Sequence, residues 1–118
     1  MAKSQKKLGK MRRDKGQRGE RELAKELSRL FNVEARRGQQ FQGSPDSPDV
    51  VGLPGVHVEV KRTEKLSIYA AIDQAVKDAG ENIPMVLHKR NRQPWLAVVR
   101  LDDLPALVEK LFLTLYSR

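Results

Sequence analysis

The chain has 118 residues, which is enough for one hydrophobic core and therefore for a single domain. It contains no cysteine, so disulfides and thiolate-bound metals are excluded, and any metal would need oxygen or imidazole ligands. The sequence shows neither an apolar run of membrane-spanning length nor the apolar region of a signal peptide. We therefore expect a cytoplasmic or nucleoid-associated protein.

The net charge of +8 is concentrated at one end of the chain. Positions 1–19 hold eight lysines and arginines against Asp14 alone, a net charge of +7, whereas positions 20–118 contribute only +1. Basic segments of this kind bind nucleic acid through its phosphates without reading the base sequence. We therefore predict a basic N-terminal arm at 1–14 and a folded domain at 15–118. A solubilising tail, an acidic protein partner and a membrane surface are the alternatives.

A first helix is predicted from about Gln17 to Phe31, because its apolar residues recur every three or four positions and form one stripe. Glu20 falls within that stripe, whereas Glu22 and Glu26 point elsewhere. A carboxylate on the buried face of a helix needs a partner, although the helix dipole alone also favours an acid near the N-terminus. Glu20 is thus a candidate site residue.

A hairpin is predicted after this helix. A short strand at 32–37 comes first, and a Gly-, Gln-, Ser- and Pro-rich loop at 38–48 follows, a composition typical of mobile segments that contact substrates. Strands at 49–53 and 56–62 then flank a turn at Pro54-Gly55. In the second strand the valines face one way, and Glu59 and Lys61 face the other way together. His57 shares that face, although a strand histidine is more often structural.

The register of this hairpin decides whether Asp49 can join Glu59. A regular two-residue turn pairs Leu53 with Val56 and therefore Asp49 with Val60, which places Asp49 and Glu59 on opposite faces. We therefore predict an irregularity, which is either an odd number of turn residues or a bulge or strong twist. A regular hairpin would be incompatible with a shared site.

The remaining elements complete an α/β pattern. A second helix at 67–79 begins at Ser67, has Gln74 at the edge of its buried face, and precedes strands at 85–87 and 95–99 that flank a basic turn at 89–93. A last helix begins near Asp102 or Asp103 and has a long leucine-rich stripe. The order α-β-β-β-α-β-β-α predicts a single domain with a mixed central β-sheet flanked by helices.

The acids on these elements suggest a chemistry. Asp49 and Glu59, with the peptide carbonyl of Val60, would satisfy the preference of Mg²⁺ for oxygen ligands. Such an ion polarises a phosphoryl oxygen and lowers the pKa of a bound water, and Lys61 could orient that water or stabilise the developing charge. Glu20 could support a second ion. Taken separately, Asp after Pro is a common turn and Glu-x-Lys on a strand is often a solvated ion pair.

Four segments, taken in chain order, resemble the motifs of the PD-(D/E)xK nuclease superfamily. They are Lys15-Gly16 followed by 20–23, Ser44 followed by 48–51, the strand segment 58–62, and the helical Gln74. Over roughly residues 15–100 the chain is similar to Holliday-junction resolvases of the archaeal type and their relatives in phages and prophages. The resemblance implies a restriction-endonuclease-like αβββαβ core and a Mg²⁺-dependent endonuclease, with Mn²⁺ able to substitute. It also implies a homodimer whose two sites nick opposing strands of a four-way DNA junction.

The resemblance assigns roles to individual residues. The implied catalytic residues are Glu20, Asp49, Glu59, Lys61 and Gln74, and the implied metal ligands are Glu20, Asp49, Glu59 and Val60. The predicted DNA-binding residues are the basic side chains of the arm, first helix, strand ends and turn, together with the loop serine: Lys10, Arg12, Arg13, Lys15, Arg18, Arg36, Arg37, Ser44, Arg62, Lys89, Arg90 and Arg92.

Two alternatives remain at this point. One is a nuclease of the same superfamily that acts on flaps, nicks or duplex ends, and the other is a non-catalytic DNA-binding protein. The presence of all four residues Glu20, Asp49, Glu59 and Lys61 argues against a retired site. A dimer would favour junction cleavage, because two sites must be held symmetrically, whereas a monomer would favour flap or nick processing. The long basic arm and leucine-rich last helix depart from the archaeal pattern.

Overall fold

The computed structural model describes residues 2–38 and 47–116, and within these the side chains of 2–8 and 12–13 are not described. The elements in chain order are α1 (Ala2–Phe31), β1 (Arg36–Arg37), β2 (Val50–Val51), β3 (Val56–Arg62), α2 (Ile68–Ala79), β4 (Ile83–Lys89), β5 (Leu96–Val98), a 3₁₀ turn (Leu101–Asp103) and α3 (Leu104–Tyr116). This order confirms the predicted α/β domain. None of the described helices is both long enough and apolar enough to cross a membrane.

The strands form one mixed sheet in the order β1-β2-β3-β4-β5. Neighbouring strands are antiparallel except β3 and β4, which are parallel because α2 connects them as a crossover. The valines of β3 face a core made with α1 and α3, in which Leu23, Leu27 and Leu107 are buried. On the opposite face, Ala75 of α2 packs against Val86 of β4. His57, Glu59 and Lys61 alternate with the β3 valines, so they belong to the α2 side of the sheet.

The first helix is longer than the sequence pattern indicated. It runs without interruption for 30 residues from Ala2, so the proposed boundary between an arm at 1–14 and a domain at 15–118 falls inside it. The helix lies directly against β3 at Gly19, where an added Cβ would be 2.7 Å from the Cβ of Arg62. This close approach places the basic half of α1 beside the C-terminal end of β3. Asn32, with a φ of 53°, ends the helix in the left-handed conformation.

Some element boundaries differ from the prediction. Strands β1 and β2 have only two residues each, because Asn32 turns the chain after α1 and Gly52 leaves the ladder after Val51. Strand β4 extends to seven residues because its full length pairs with β3. Ser67 makes no side-chain cap, and its carbonyl instead accepts the Ala71 amide at 3.0 Å.

The predicted apolar stripe of the last helix is mostly not in the core. Of the described α3 residues, only Leu107 is buried, whereas Val108 and Phe112 are more than half exposed. Beneath the helix, an apolar groove of about 550 Å³ stays open between α1, the sheet and α3, lined in part by Met85 and Trp95. The helix therefore covers its end of the sheet incompletely.

Candidate active site

The hairpin register brings Asp49 and Glu59 to the same level of the sheet. Val50 pairs with Val58, so the connecting turn is centred on a single residue and the predicted two-residue pairing does not form. The predicted irregularity is thereby confirmed. Gly52 makes it sterically possible, since its φ is 130° and an added Cβ would lie 2.6 Å from the Ala35 Cα.

Asp49 is attached to its neighbours through both its backbone and its side chain. Its amide donates to the Val58 carbonyl at 2.9 Å, and its own carbonyl accepts the Gly38 amide at 2.8 Å. Its Oδ2 accepts the backbone N–H of Val60 at 2.8 Å, so the carboxylate occupies the place of a ladder carbonyl. In a strand the N–H and C=O of one residue point to the same edge, so the Val60 carbonyl also lies on this side.

Burial raises the pKa values of both Asp49 and Glu59. Burial is the largest cause that raises the pKa of Asp49 to about 7, and the nearby Glu59 raises it further, while the Val60 amide and Lys61 act in the opposite direction. Burial also raises the pKa of Glu59, against the lowering effects of its hydrogen bond with Asp49 and of Lys61. Burial therefore favours the protonated forms of both carboxyl groups, whereas a divalent cation bound between them would favour the ionised forms.

Glu20 lies beside this pair and is held by an arginine. Its Oε2 accepts a hydrogen bond from Nε of Arg37 at 2.9 Å, and 19% of its side chain is exposed. Burial is the main cause that raises the pKa of Glu20, Asp49 raises it further, and Arg37 lowers it. The three acids that the sequence placed on separate elements thus interact electrostatically in the folded chain.

A second set of ligands adjoins Glu59 on the α2 side. Nε2 of His57 lies 2.7 Å from Oε1 of Glu59, and His57 is 2% exposed. With Asp78 of α2 these residues offer three ligand atoms within 4.8 Å of one another. Gln74 donates its amide to both Asp78 oxygens, at 3.1 and 3.2 Å. The sequence reasoning missed Asp78, although its position four residues after Gln74 puts both on one helix face.

Basic side chains surround the exposed edge of this site. A groove of about 620 Å³ runs along the end of β3 and is lined in part by Lys15, Lys61, Arg62 and Lys65. A second groove of about 310 Å³ continues it, with Lys15, Arg18 and Arg62 among its lining residues. The structure thus brings the predicted Lys15, Arg18 and Arg62 together, and it adds Lys65, which the sequence motifs did not single out.

The other predicted DNA-binding residues lie around this edge. Arg90 and Arg92 are exposed in the β4–β5 turn, next to Lys89, whose carbonyl accepts from Arg62 at 3.3 Å. Lys10 and Arg36 are exposed, whereas Arg37 pairs with Glu20. The side chains of Arg12 and Arg13, and the whole of Ser44, lie outside the described residues.

Comparisons with known proteins show which family and which solved structure the chain resembles. The sequence profile of a family described as "Phage putative PDDEXK endonuclease" matches residues 11–116. Among solved structures, the chain is similar to Hjc of Archaeoglobus fulgidus, a Holliday junction resolvase from an archaeal hyperthermophile. The two are 28% identical, with a TM-score of 0.55, over 71% of this chain and 76% of that one. No curated protein sequence matches the chain significantly.

The raised pKa of Asp49 predicts how Asp49→Asn changes stability. The folded state binds more protons than the unfolded state between pH 3.8 and about pH 7, so the wild type loses stability as pH rises through this window. In the absence of divalent cations we expect Asp49→Asn to be the more stable protein at pH 8, by roughly 2–4 kcal/mol. The gap should close toward pH 4, as measured by urea unfolding at each pH.

The exposed Asp73→Asn on α2 is the matched control, and its stability should follow the wild type at every pH. Equal stabilities of Asp49→Asn and wild type at pH 8 would show that Asp49 is not held in a crowded, buried pair.

Proposed function

Because the chain belongs to the family of phage PD-(D/E)xK endonucleases, we propose that it is a Mg²⁺-dependent endonuclease that hydrolyses phosphodiester bonds in branched DNA. The supporting observation is the hydrogen-bonded pair Asp49–Glu59, which the Val50–Val58 register brings together, with Lys61 two positions after Glu59 on the same face of β3. The likeness to an archaeal Holliday junction resolvase favours the four-way junction as substrate.

The residues present suit a magnesium ion. Asp49 and Glu59 offer carboxylate oxygens at one edge of β3, and the carbonyl of Val60 faces the same edge. A bound Mg²⁺, or Mn²⁺ in its place, would supply Lewis-acid activation of the scissile phosphate and of a water. The cation would also offset the repulsion between the two carboxylates and so reduce the electrostatic cost of their proximity.

The remaining side chains have separate tasks in this proposal. Lys61 lowers the pKa values of both Asp49 and Glu59, and its ammonium would orient a water or stabilise charge on the phosphate. Glu20 is oriented by Arg37 and would support a bound cation from the α1 side. Gln74 donates to Asp78, so its contribution to the reaction would pass through that carboxylate.

The DNA would approach along the basic edge. The two adjoining grooves hold Lys15, Arg18, Arg62 and Lys65 and open beside Lys61. Phosphate contacts of this kind position a duplex without reading its bases, which suits an enzyme that recognises the shape of branched DNA. The exposed β4–β5 turn extends the surface beyond Arg62.

We also propose that the enzyme is a homodimer joined through α3. Its exposed side carries an apolar stripe at helical spacing, with exposed fractions of 40% for Leu104, 58% for Val108, 59% for Phe112 and 39% for Leu115. Exposed apolar stripes of this extent mark association surfaces. A second copy is the occupant that the function requires, since paired nicks in opposing strands need two symmetry-related sites.

Cleavage of defined DNA substrates tests the proposed activity. With Mg²⁺ present, the protein should introduce paired symmetrical nicks in a four-way junction and leave linear duplex intact. Asp49→Asn and Lys61→Ala should each reduce the rate at least about 100-fold, because each removes a group that acts on the reacting phosphate or its water. The exposed substitutions Asp73→Asn and Lys25→Ala should leave the rate unchanged.

Other outcomes would identify the alternatives. Cutting of flaps or nicks without junction cleavage would indicate a different substrate. Equal cutting of linear duplex would contradict structure selectivity, and tight binding without cleavage in Mg²⁺ or Mn²⁺ would indicate a DNA-binding protein.

Removal of residues 1–14 should weaken DNA binding and flatten its salt dependence. For every phosphate that the shortened protein no longer neutralises, the slope of log K against log salt should fall by about 0.9 for duplex DNA. The cleavage rate at saturating DNA should stay the same, because the site residues lie outside the deleted segment. A full-length variant with the six basic residues of 1–14 changed to glutamine keeps the helical propensity and isolates the charge. An unchanged slope in both variants would exclude the arm from DNA binding.

The mass of the protein in solution tests the α3 interface. By light scattering the wild type should have twice the 13.4 kDa chain mass, and the double variant Val108→Glu with Phe112→Glu should be monomeric. Carboxylates in the apolar stripe would be desolvated without partners in the dimer. Ala106→Glu, exposed on another side of α3, should remain dimeric. A wild-type monomer that still makes paired nicks would contradict the interface.

A further inference from the structure

The group formed by His57, Glu59 and Asp78 has a different chemistry from the pair Asp49–Glu59. It lies on the α2 side of β3, with two ligands two positions apart on one strand and the third on the facing helix. Its imidazole distinguishes it, because Mg²⁺ takes oxygen ligands whereas Mn²⁺, Co²⁺ and Zn²⁺ accept nitrogen. The proposed magnesium site uses no nitrogen ligand.

The geometry of the group suits a first-row transition ion. Bonds of about 2.0–2.2 Å in tetrahedral arrangement separate neighbouring ligand atoms by roughly 3.3–3.6 Å. The three ligand atoms here lie within 4.8 Å of one another, and Nε2 of His57 is 2.7 Å from Oε1 of Glu59. Small side-chain rotations therefore suffice to admit an ion. His57 is almost fully buried, so its ring is held against the two acids by packing.

Charge balance favours a cation at this position. Glu59 interacts electrostatically with Glu20, Asp49 and Asp78, while Lys61 stabilises the charge on Glu59 and Arg37 pairs with Glu20. An ion bound between Asp49 and Glu59 would not be in contact with Asp78, which approaches Glu59 from α2. The Asp78 carboxylate is already oriented by two hydrogen bonds from the Gln74 amide, which is the outer-shell support that metal ligands commonly receive.

We propose that His57, Glu59 and Asp78 bind a divalent transition ion of the Mn²⁺, Co²⁺ or Zn²⁺ type, in a site that shares only Glu59 with the proposed magnesium site. The proposal goes beyond the nuclease activity and does not depend on it, since the ion would bind without DNA. When both sites are filled, Glu59 would bridge two cations.

Electron spin echo spectroscopy of bound Mn²⁺ tests the nitrogen ligand directly. Tag-free, full-length protein is titrated with Mn²⁺ alone, and modulation from a coordinated imidazole nitrogen is recorded. The chain has two histidines, and His88 is engaged elsewhere through a 2.9 Å contact with the Thr63 carbonyl. We therefore expect the modulation in wild type and in His88→Gln, and its loss in His57→Gln.

Isotope labelling keeps the test decisive if His57→Gln does not fold. His88→Gln protein labelled with ¹⁵N-histidine contains labelled nitrogen only at His57, so its modulation should change from the ¹⁴N to the ¹⁵N pattern. Absence of imidazole modulation in the wild type, or its persistence unchanged after labelling, would overturn the proposal.

Two further variants separate this site from the magnesium site. Asp49→Asn should keep the imidazole modulation but bind one Mn²⁺ fewer per chain, as counted from the free-Mn²⁺ signal. Asp78→Asn should lower the affinity for the nitrogen-ligated ion at least about tenfold, which is the usual effect of mutating a residue that supports a metal site. If Asp49→Asn abolished the modulation, the two sites would not be separate. If Asp78→Asn left the affinity unchanged, the proposed ligand set would be wrong.

The two proposals fail separately. If the wild-type protein showed the imidazole modulation but did not cleave DNA, only the nuclease proposal would be refuted.

Discussion

The hydrogen bond from the Val60 amide to the Asp49 carboxylate is the interaction on which the site depends. This side-chain bond takes the place of a backbone bond in the β2–β3 ladder. Asp49 therefore stays attached to β3 although it lies just before the first residue of β2. The shift to Val50–Val58 pairing makes this possible, because it brings Asp49 level with Glu59. A one-residue shift of β2 against β3 would turn the β2 side chains to the other face relative to β3 and so separate the two acids.

The price of this arrangement is electrostatic. Glu59 interacts with the carboxyl groups of Glu20, Asp49 and Asp78. Burial raises the pKa values of Glu20, Asp49 and Glu59. The fold tolerates the cost because β3 and β4 pair along seven residues and hold the site on a rigid base. Sites that bind cations are expected to be destabilising until the cation arrives, since the same repulsion supplies the binding energy.

The sequence predicted most of the fold because the apolar periodicities of α2 and β3 are strong and local. It also predicted that Glu59 and Lys61 share a face and that the hairpin must be irregular. The predictions failed where tertiary contacts decide. The stripe of α3 is as apolar as a core helix, yet only Leu107 of its described residues is buried. Asp78 was missed because its closeness to His57 and Glu59 depends on how α2 packs on the sheet, which no spacing along the chain encodes.

Helix α1 unites features that the sequence presented separately. Its C-terminal half buries Leu23 and Leu27 in the core, Glu20 faces the site, and its N-terminal half continues the same axis through the basic segment. Gly19 permits direct packing of α1 on Arg62. Its neighbours Arg18 and Glu20 therefore lie at the basic groove and at the acidic site, respectively. A larger residue at this position would push α1 away from β3, and both Glu20 and Lys15 would move with it. The orientation of the basic groove and the position of Glu20 are therefore set by the same helix–strand contact.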